Sequence, residues 1–431
     1  MQEYNPASPF GLKSYATGAV YPDDGWTLDA PGEGAPSLLR VNYPHRQIQI
    51  GNPALGLFQF ASWLPVRQTL NGSSAPVSFR SNGLARALGL KNLWITFSGY
   101  WPEKGGMMET CSFKELEAFS VCSRWPFKGH EVLVVASAGN TARAFARVCA
   151  DNHIPLLLCV PEDNLEALWS GRPYSDCVKV ISTRSGSDYF DAIHLSNLAA
   201  ATPGFIAEGG ARNVARRDGM AATVLSAVTT IGRIPDYYFQ SVGSGTGAIA
   251  AWEANLRFMA DGRFGSNKMK LMVVQNDPFV PMYTAWQSGS RELPQMDEDQ
   301  ARSLSGCIMA RVLANRKPPY GIAGGLFDAL TDTGGCVLKA NNAEGEAAAA
   351  LFLETEGCDI HPAAAIATAA LIAQARNRQI LENALVMLNI TGGGEERYKK
   401  EQPLHFLQPA HVFPVQPRAE DVSHVIRELF A

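Results

Sequence analysis

No two of the eight cysteines in this chain stand in a C-x-x-C arrangement. Structural zinc sites and dithiol redox centres use such close spacing, so neither is expected. Cys111, Cys122, Cys149 and Cys159 lie in or beside apolar runs. They read as reduced, buried thiols of a cytoplasmic protein. A basic surplus is also missing, because the formal net charge is -4. Nothing in that balance would neutralise a phosphate backbone, and no nucleic-acid partner is expected. No apolar run is long enough to span a bilayer. The Ala-rich stretch 346–375 carries charges and a proline, and it reads as two helices outside any membrane. The first residues show no basic segment followed by an apolar one, so no leader is expected.

What is present is a globular composition, 46% hydrophobic and 18% charged. A length of 431 residues exceeds one ordinary core and implies separate units. Residues 1 to about 60 are rich in glycine, proline and polar residues, and are expected to wrap the surface. From about residue 90, short apolar runs alternate with helix-length segments. Strands are expected at residues 133–136, 156–160, 178–181, 237–242, 271–275 and 385–390. Such alternation predicts an α/β fold of open, mostly parallel sheets flanked by helices. The expected division is 1–117, 118–215 and 216–431.

Four local features carry chemistry. Ser137-Ala138-Gly139-Asn140-Thr141 joins a strand to a helix, where free amides would bind a carboxylate and Asn140 could offer its amide to a ring oxygen. The same residues also make an ordinary tight turn with a cap. Gly243-Ser244-Gly245-Thr246-Gly247 again follows a strand and precedes a helix. Its glycines allow close approach of a phosphate to the backbone amides, and two hydroxyls add donors. The loop has neither the P-loop nor the dinucleotide spacing. Leu388-Asn389-Ile390-Thr391-Gly392-Gly393-Gly394 is a strand running into three glycines. Finally, Lys114 follows Cys111-Ser112-Phe113. A lysine there is usually a solvated charge, and it gains chemistry only if desolvated.

The order of the four features resembles that of fold type II pyridoxal-phosphate (PLP) enzymes, the group of tryptophan synthase β and threonine synthase. The resemblance covers residues from about 90 to 395. Residues 97–103, 110–114, 136–146, 209–219, 315–320 and 388–394 resemble cysteate synthases more closely. One departure lies at Leu12-Lys13-Ser14-Tyr15-Ala16-Thr17-Gly18, where related chains often carry a cysteine pair.

The resemblance implies PLP as cofactor, held as a Schiff base on Lys114 at the interface between two α/β units. It implies that Asn140 binds the ring's phenolic oxygen, that Gly243, Ser244, Gly245, Thr246 and Gly247 hold the cofactor phosphate, and that Thr391 faces the ring nitrogen. Ser137, Ala138, Gly139 and Thr141 would hold the substrate carboxylate. Asn213 and Arg216 would contact a substrate phosphate. Arg212 and Arg217 read equally well as solvated helix charges, and Lys104 and Arg143 are weaker candidates for the same anions. The implied reaction is β-replacement through an aminoacrylate, turning O-phospho-L-serine and sulfite into L-cysteate and phosphate. Alternatives are another nucleophile or leaving group, threonine synthesis from O-phosphohomoserine, a PLP-dependent deaminase, or a non-catalytic homologue. The implied partners are a phosphorylated amino acid and an anionic nucleophile, and the implied assembly is a homo-oligomer.

Overall fold

The computed structural model describes residues 10–431 apart from 24, 25, 33, 125–130 and 138. The chain opens with β1 (Gly11–Ser14), β2 (Val20–Pro22) and β3 (Leu39–Asn42). They form a small antiparallel sheet in the order β2-β1-β3. The sequence gives little sign of it, because the strands are short and glycine- and proline-rich segments separate them. Leu12-Lys13-Ser14, at the departure from related chains, is part of β1.

Next come β4 (Val77–Arg80) and β5 (Asn92–Phe97). Then follow β6 (Val132–Ala136), β7 (Leu156–Pro161), β8 (Val178–Thr183) and β9 (Phe205–Ala207). The second half supplies β10 (Tyr237–Ser241), β11 (Lys270–Asn276), β12 (Cys336–Ala340), β13 (Leu385–Ile390) and β14 (His411–Phe413). Two sheets result. The larger has the order β12-β11-β10-β13-β5-β4, parallel except for β4. The smaller, β9-β6-β7-β8-β14, is wholly parallel. Every residue of β7 and of β13 is buried. Continuous apolar strands of this kind have helices over both faces, which is why their sequences do not alternate.

The C-terminal segment departs from the expected boundaries. β14 and the helix Ala419–Leu429, placed by sequence with the unit 216–431, complete the smaller sheet. Phe413, Val422 and Ile426 share its core with Leu157 and Ile181. The Ala-rich stretch forms two helices, Asn342–Glu356 and Pro362–Arg376. No described helix is long and apolar enough to cross a membrane.

Four helices position the site: α1 (Lys114–Arg124), α2 (Asn140–Asn152), α3 (Val214–Ile231) and α4 (Thr246–Asp261). Asn213 caps α3 by accepting the amide of Ala215, and Gly232 ends the helix with a left-handed turn. The end of α1 is pinned through Arg124, which is fully buried. Its guanidinium donates to Asp23 at 2.7 and 3.0 Å, to Asn213 Oδ1 at 2.9 Å and to the Thr27 carbonyl at 2.9 Å. A buried arginine is tolerated only when so fully answered.

Candidate active site

Parallel strands place their following loops at one edge of a sheet, and ligands of open α/β sheets bind at that edge. The loop after β10 is Gly243 to Gly247, and α4 begins inside it. Gly245 has φ 77°, a left-handed conformation open to glycine at little cost. A Cβ on Gly243 would lie 2.9 Å from the Leu313 Cα, and one on Gly247 would lie 2.5 Å from Gln240 Nε2. Glycine is therefore required here for packing as well as conformation. Ser244 Oγ and Thr246 Oγ1 are 2.7 Å apart. Thr246 N donates to Ser244 Oγ at 3.3 Å and Ala248 N to the Gly245 carbonyl at 3.0 Å, and a glycine-lined helix start of this kind suits an anion.

Thr391, at the end of β13, is buried. The strand's continuation is laced to the segment before Lys114. Phe113 N donates to Thr391 O at 2.9 Å, Gly393 N donates to Cys111 O at 3.1 Å, and Ser112 bridges Gly392. Lys114 then opens α1 with its side chain 21% exposed, so the amine is partly desolvated yet reachable. Its Nζ donates to Glu117 Oε2 at 2.8 Å and lies 3.9 Å from Met220 Sδ.

The smaller sheet contributes the loop after β6. Ser137 Oγ accepts the Gly139 amide at 3.1 Å, and Thr141 is buried in the first turn of α2. Ala138 lies outside the described residues. Asn140 Oδ1 accepts from Arg143 Nη2 at 2.9 Å, which leaves Nδ2 as the end Asn140 can present to a ligand. Arg143 does more than orient Asn140. It donates to the Thr110 carbonyl at 3.0 and 3.2 Å, pairs with Glu395 at 3.3 Å, and lies 4.1 Å from the centre of the Trp169 ring. One side chain thus ties α2 to the segments beside Lys114 and Thr391. Burial alone would raise the Glu395 carboxyl, but His361, Arg143 and Lys399 outweigh it and hold that carboxyl well below the usual range. The turn Arg311–Leu313 touches both loops. Leu313 packs on Gly243, and Val312 Cγ1 would lie 3.7 Å from a Cβ on Gly139.

Of the expected basic cluster, only Arg216 reaches this assembly. Its guanidinium binds Glu208 through Nε at 2.9 Å and Nη2 at 2.5 Å, and Nη1 lies 2.9 Å from Glu117 Oε1. Glu117 thereby bridges Arg216 and Lys114 while itself fully buried. Asn213, expected to contact substrate, has its side chain committed elsewhere. It accepts from Arg124 and from the Ala215 amide and donates to the Glu208 carbonyl at 2.8 Å. Arg217 is buried against Glu253, and Arg212 is an exposed partner of Asp29. Sequence reasoning missed Glu117 and Glu208 as parts of the site, and weighed Arg143 only as a weak candidate for binding the substrate's anions. Only Glu117 leaves a sequence signal, its i,i+3 spacing from Lys114.

Glu115, beside Lys114, faces the other way. Its carboxylate accepts from Thr110 N and Oγ1, both at 2.9 Å. Burial pushes its carboxyl up to about 7, against the opposing pull of those two bonds. A raised folded value means that the folded chain binds this proton more tightly than the unfolded chain. The associated stability is complete below the unfolded value of 4.5 and is lost as pH rises through about 7. Relative to Glu115→Gln, the wild type is expected to lose about 3 kcal/mol of unfolding free energy between about pH 5 and pH 8. Urea titrations across that window would measure the difference, and parallel curves for the two proteins would refute it.

These residues fit a pyridine aldehyde phosphate. The glycine cradle and its hydroxyls suit a phosphate, Lys114 supplies a primary amine, and Asn140 and Thr391 supply polar contacts for a ring. Ser241 Oγ, two residues before the cradle, is buried without a hydrogen-bond partner among the described residues, a spare donor at the loop's base.

Comparison with known proteins agrees. A family profile described as "Pyridoxal-phosphate dependent enzyme" matches residues 76–392. A cysteate synthase of Methanocella arvoryzae is 48% identical over 380 residues, covering 88% of this chain and 90% of its own. That of Methanosarcina barkeri is 44% identical over 401 residues, covering 93% and 95%. Among solved structures, a fungal L-serine ammonia-lyase from Rhizomucor miehei superimposes with TM-score 0.58 at 15% identity, covering 76% of this chain and 98% of its own. Maize serine racemase gives TM-score 0.57 at 14% identity, covering 76% and 93%. The structural matches speak for the fold type II architecture alone. The sequence matches span nearly the whole of both chains, and the chain belongs to the cysteate synthase family of pyridoxal-phosphate-dependent enzymes.

Proposed function

We propose that the chain replaces the phosphate on the β-carbon of O-phospho-L-serine with sulfite, giving L-cysteate and inorganic phosphate. The observation that carries this reading is the gathering of one amine, Lys114, with two amide-rich loops and the Arg216 guanidinium. Such a site is built to hold anions around a nucleophile.

When bound, PLP supplies an aldehyde that condenses with amines and a ring that draws electrons from the attached α-carbon. Lys114 Nζ holds the cofactor at rest. The same amine, when not engaged with the cofactor, would take the α-proton and later return it. Glu117 steadies the charged form of that amine from 2.8 Å. The amides of residues 243–247 hold the cofactor phosphate. Thr391 would meet the ring nitrogen, and Asn140, its Oδ1 held by Arg143, would offer Nδ2 to the ring oxygen. The loop of Ser137, Gly139 and Thr141 receives the substrate carboxylate.

Arg216, held by Glu208 and Glu117, would offer its remaining guanidinium hydrogens to the leaving phosphate and the incoming sulfite, and Asn213 acts as the helix cap that places it. The phosphate departs with the electron pair of the Cβ–O bond. The sulfite sulfur lone pair then forms the Cβ–S bond.

The test is direct. Protein loaded with PLP is given O-phospho-L-serine with and without sulfite, and with O-phosphohomoserine as a separate substrate. Phosphate and cysteate should appear in equal amounts only when sulfite is present with phosphoserine. Phosphate without cysteate, or threonine from phosphohomoserine, would overturn the assignment.

A further inference from the structure

A cavity of about 340 Å³ lies between β1, β3, the turn after β3, and helices α3 and α4. None of its lining residues belongs to the candidate active site. Its floor holds two buried carboxylates, and each is answered within the protein. Asp218 pairs with Arg257 at 2.7 Å and accepts the Tyr43 hydroxyl. Glu253 pairs with Arg217 at 3.2 Å and accepts the Tyr15 hydroxyl at 3.1 Å. The walls are different. Lys13, Arg40 and Arg46 line the same space, and none meets a carboxylate among the described residues. Two of these cations are held in position. The Arg40 guanidinium lies 5.2 Å from the centre of the Tyr15 ring, and Arg46 Nε donates to the Ala260 carbonyl.

Among the described residues, these three positive charges meet no carboxylate, and gathered around one concavity they focus a positive potential there, in a chain of net charge -4. Trp63, Leu256 and Val41 add apolar wall. A volume of this size falls in the range of small-molecule sites, and its mainly charged and polar lining suits a charged ligand.

We infer that this cavity binds a small organic polyanion, one carrying two or more phosphate, sulfonate or carboxylate groups. Arg40, Arg46 and Lys13 supply the charge, and Arg257 and Tyr43 shape the floor. The site is distinct from the one around Lys114, but it bears on the same helices. Glu253 and Arg257 lie on α4, whose first turn is the glycine cradle, and Asp218 lies on α3, which follows Asn213.

Citrate and pyrophosphate serve as probes, titrated by calorimetry into the full-length, PLP-loaded protein at constant ionic strength. Saturable binding of one probe per chain is expected at this cavity. Arg40→Gln/Arg46→Gln should weaken it at least tenfold, while Arg216→Gln leaves it unchanged. Lys13→Gln, on a partly exposed side chain, is a second variant should the double one fold poorly, and it should weaken binding severalfold. Three outcomes overturn the proposal: no saturable binding of either probe, full binding by the cavity variants, or loss of binding in Arg216→Gln alone. The last would place the anion in the active site.

Discussion

Lys114→Ala is expected to lower turnover by about 10²- to 10⁴-fold, the range associated with losing a positioned proton-transfer group, while the protein stays folded. The two halves of that expectation rest on different observations. The lysine follows directly on the segment 111–113 that is laced to 391–393, and its loss removes the amine expected to hold the cofactor. Its side chain is partly exposed, and its partner Glu117 keeps Arg216 after the change, so little is left buried and uncompensated. Reduction with borohydride provides a readout apart from turnover. Wild-type protein should gain the mass of one reduced cofactor per chain, and the variant none, although the glycine cradle still binds PLP reversibly. A variant that still trapped the cofactor covalently would remove Lys114 from the mechanism.

Glu117→Leu should have the second-largest effect, and it should appear in two measurements. Glu117 is buried between two cations, 2.8 Å from Lys114 Nζ and 2.9 Å from Arg216 Nη1. Removing one member of a buried charged group leaves the others without their counter-charge, at a cost of about 3–5 kcal/mol. Arg216 retains Glu208, so the lower end, about 3 kcal/mol, is expected in urea unfolding. Turnover should fall about 10²-fold with little change in the KM for phosphoserine, because the carboxylate acts on the amine that moves the proton. Glu117→Asp should recover part of the turnover. If stability alone fell and kcat held, Glu117 would be a structural residue only.

How much of this was legible in the sequence follows from how local each feature is. The glycine cradle announces itself, since Gly245 needs a left-handed φ and Gly243 and Gly247 leave no room for a Cβ. The buried strands β7 and β13 were legible because both faces are covered and the apolar run is unbroken. Glu208 and Arg143 were not, because their roles come from contacts with residues remote in sequence. Asn213 illustrates an ambiguity of chemistry. An asparagine at a helix start can cap the helix or bind a ligand, and only its three partners show that it caps. β14 escaped because a three-residue strand carries almost no pattern of its own.

The lacing of residues 111–113 to 391–393 also bears on when the site comes into being. During synthesis, Lys114 emerges long before Thr391 and Gly393 exist to hold its segment in place. Contacts between such distant parts of a chain form slowly and late. Strands β6 to β9 of the smaller sheet can therefore pair while the amine is still unplaced, and the chain becomes competent for its cofactor only when its last large-sheet strand, β13, has docked between β10 and β5.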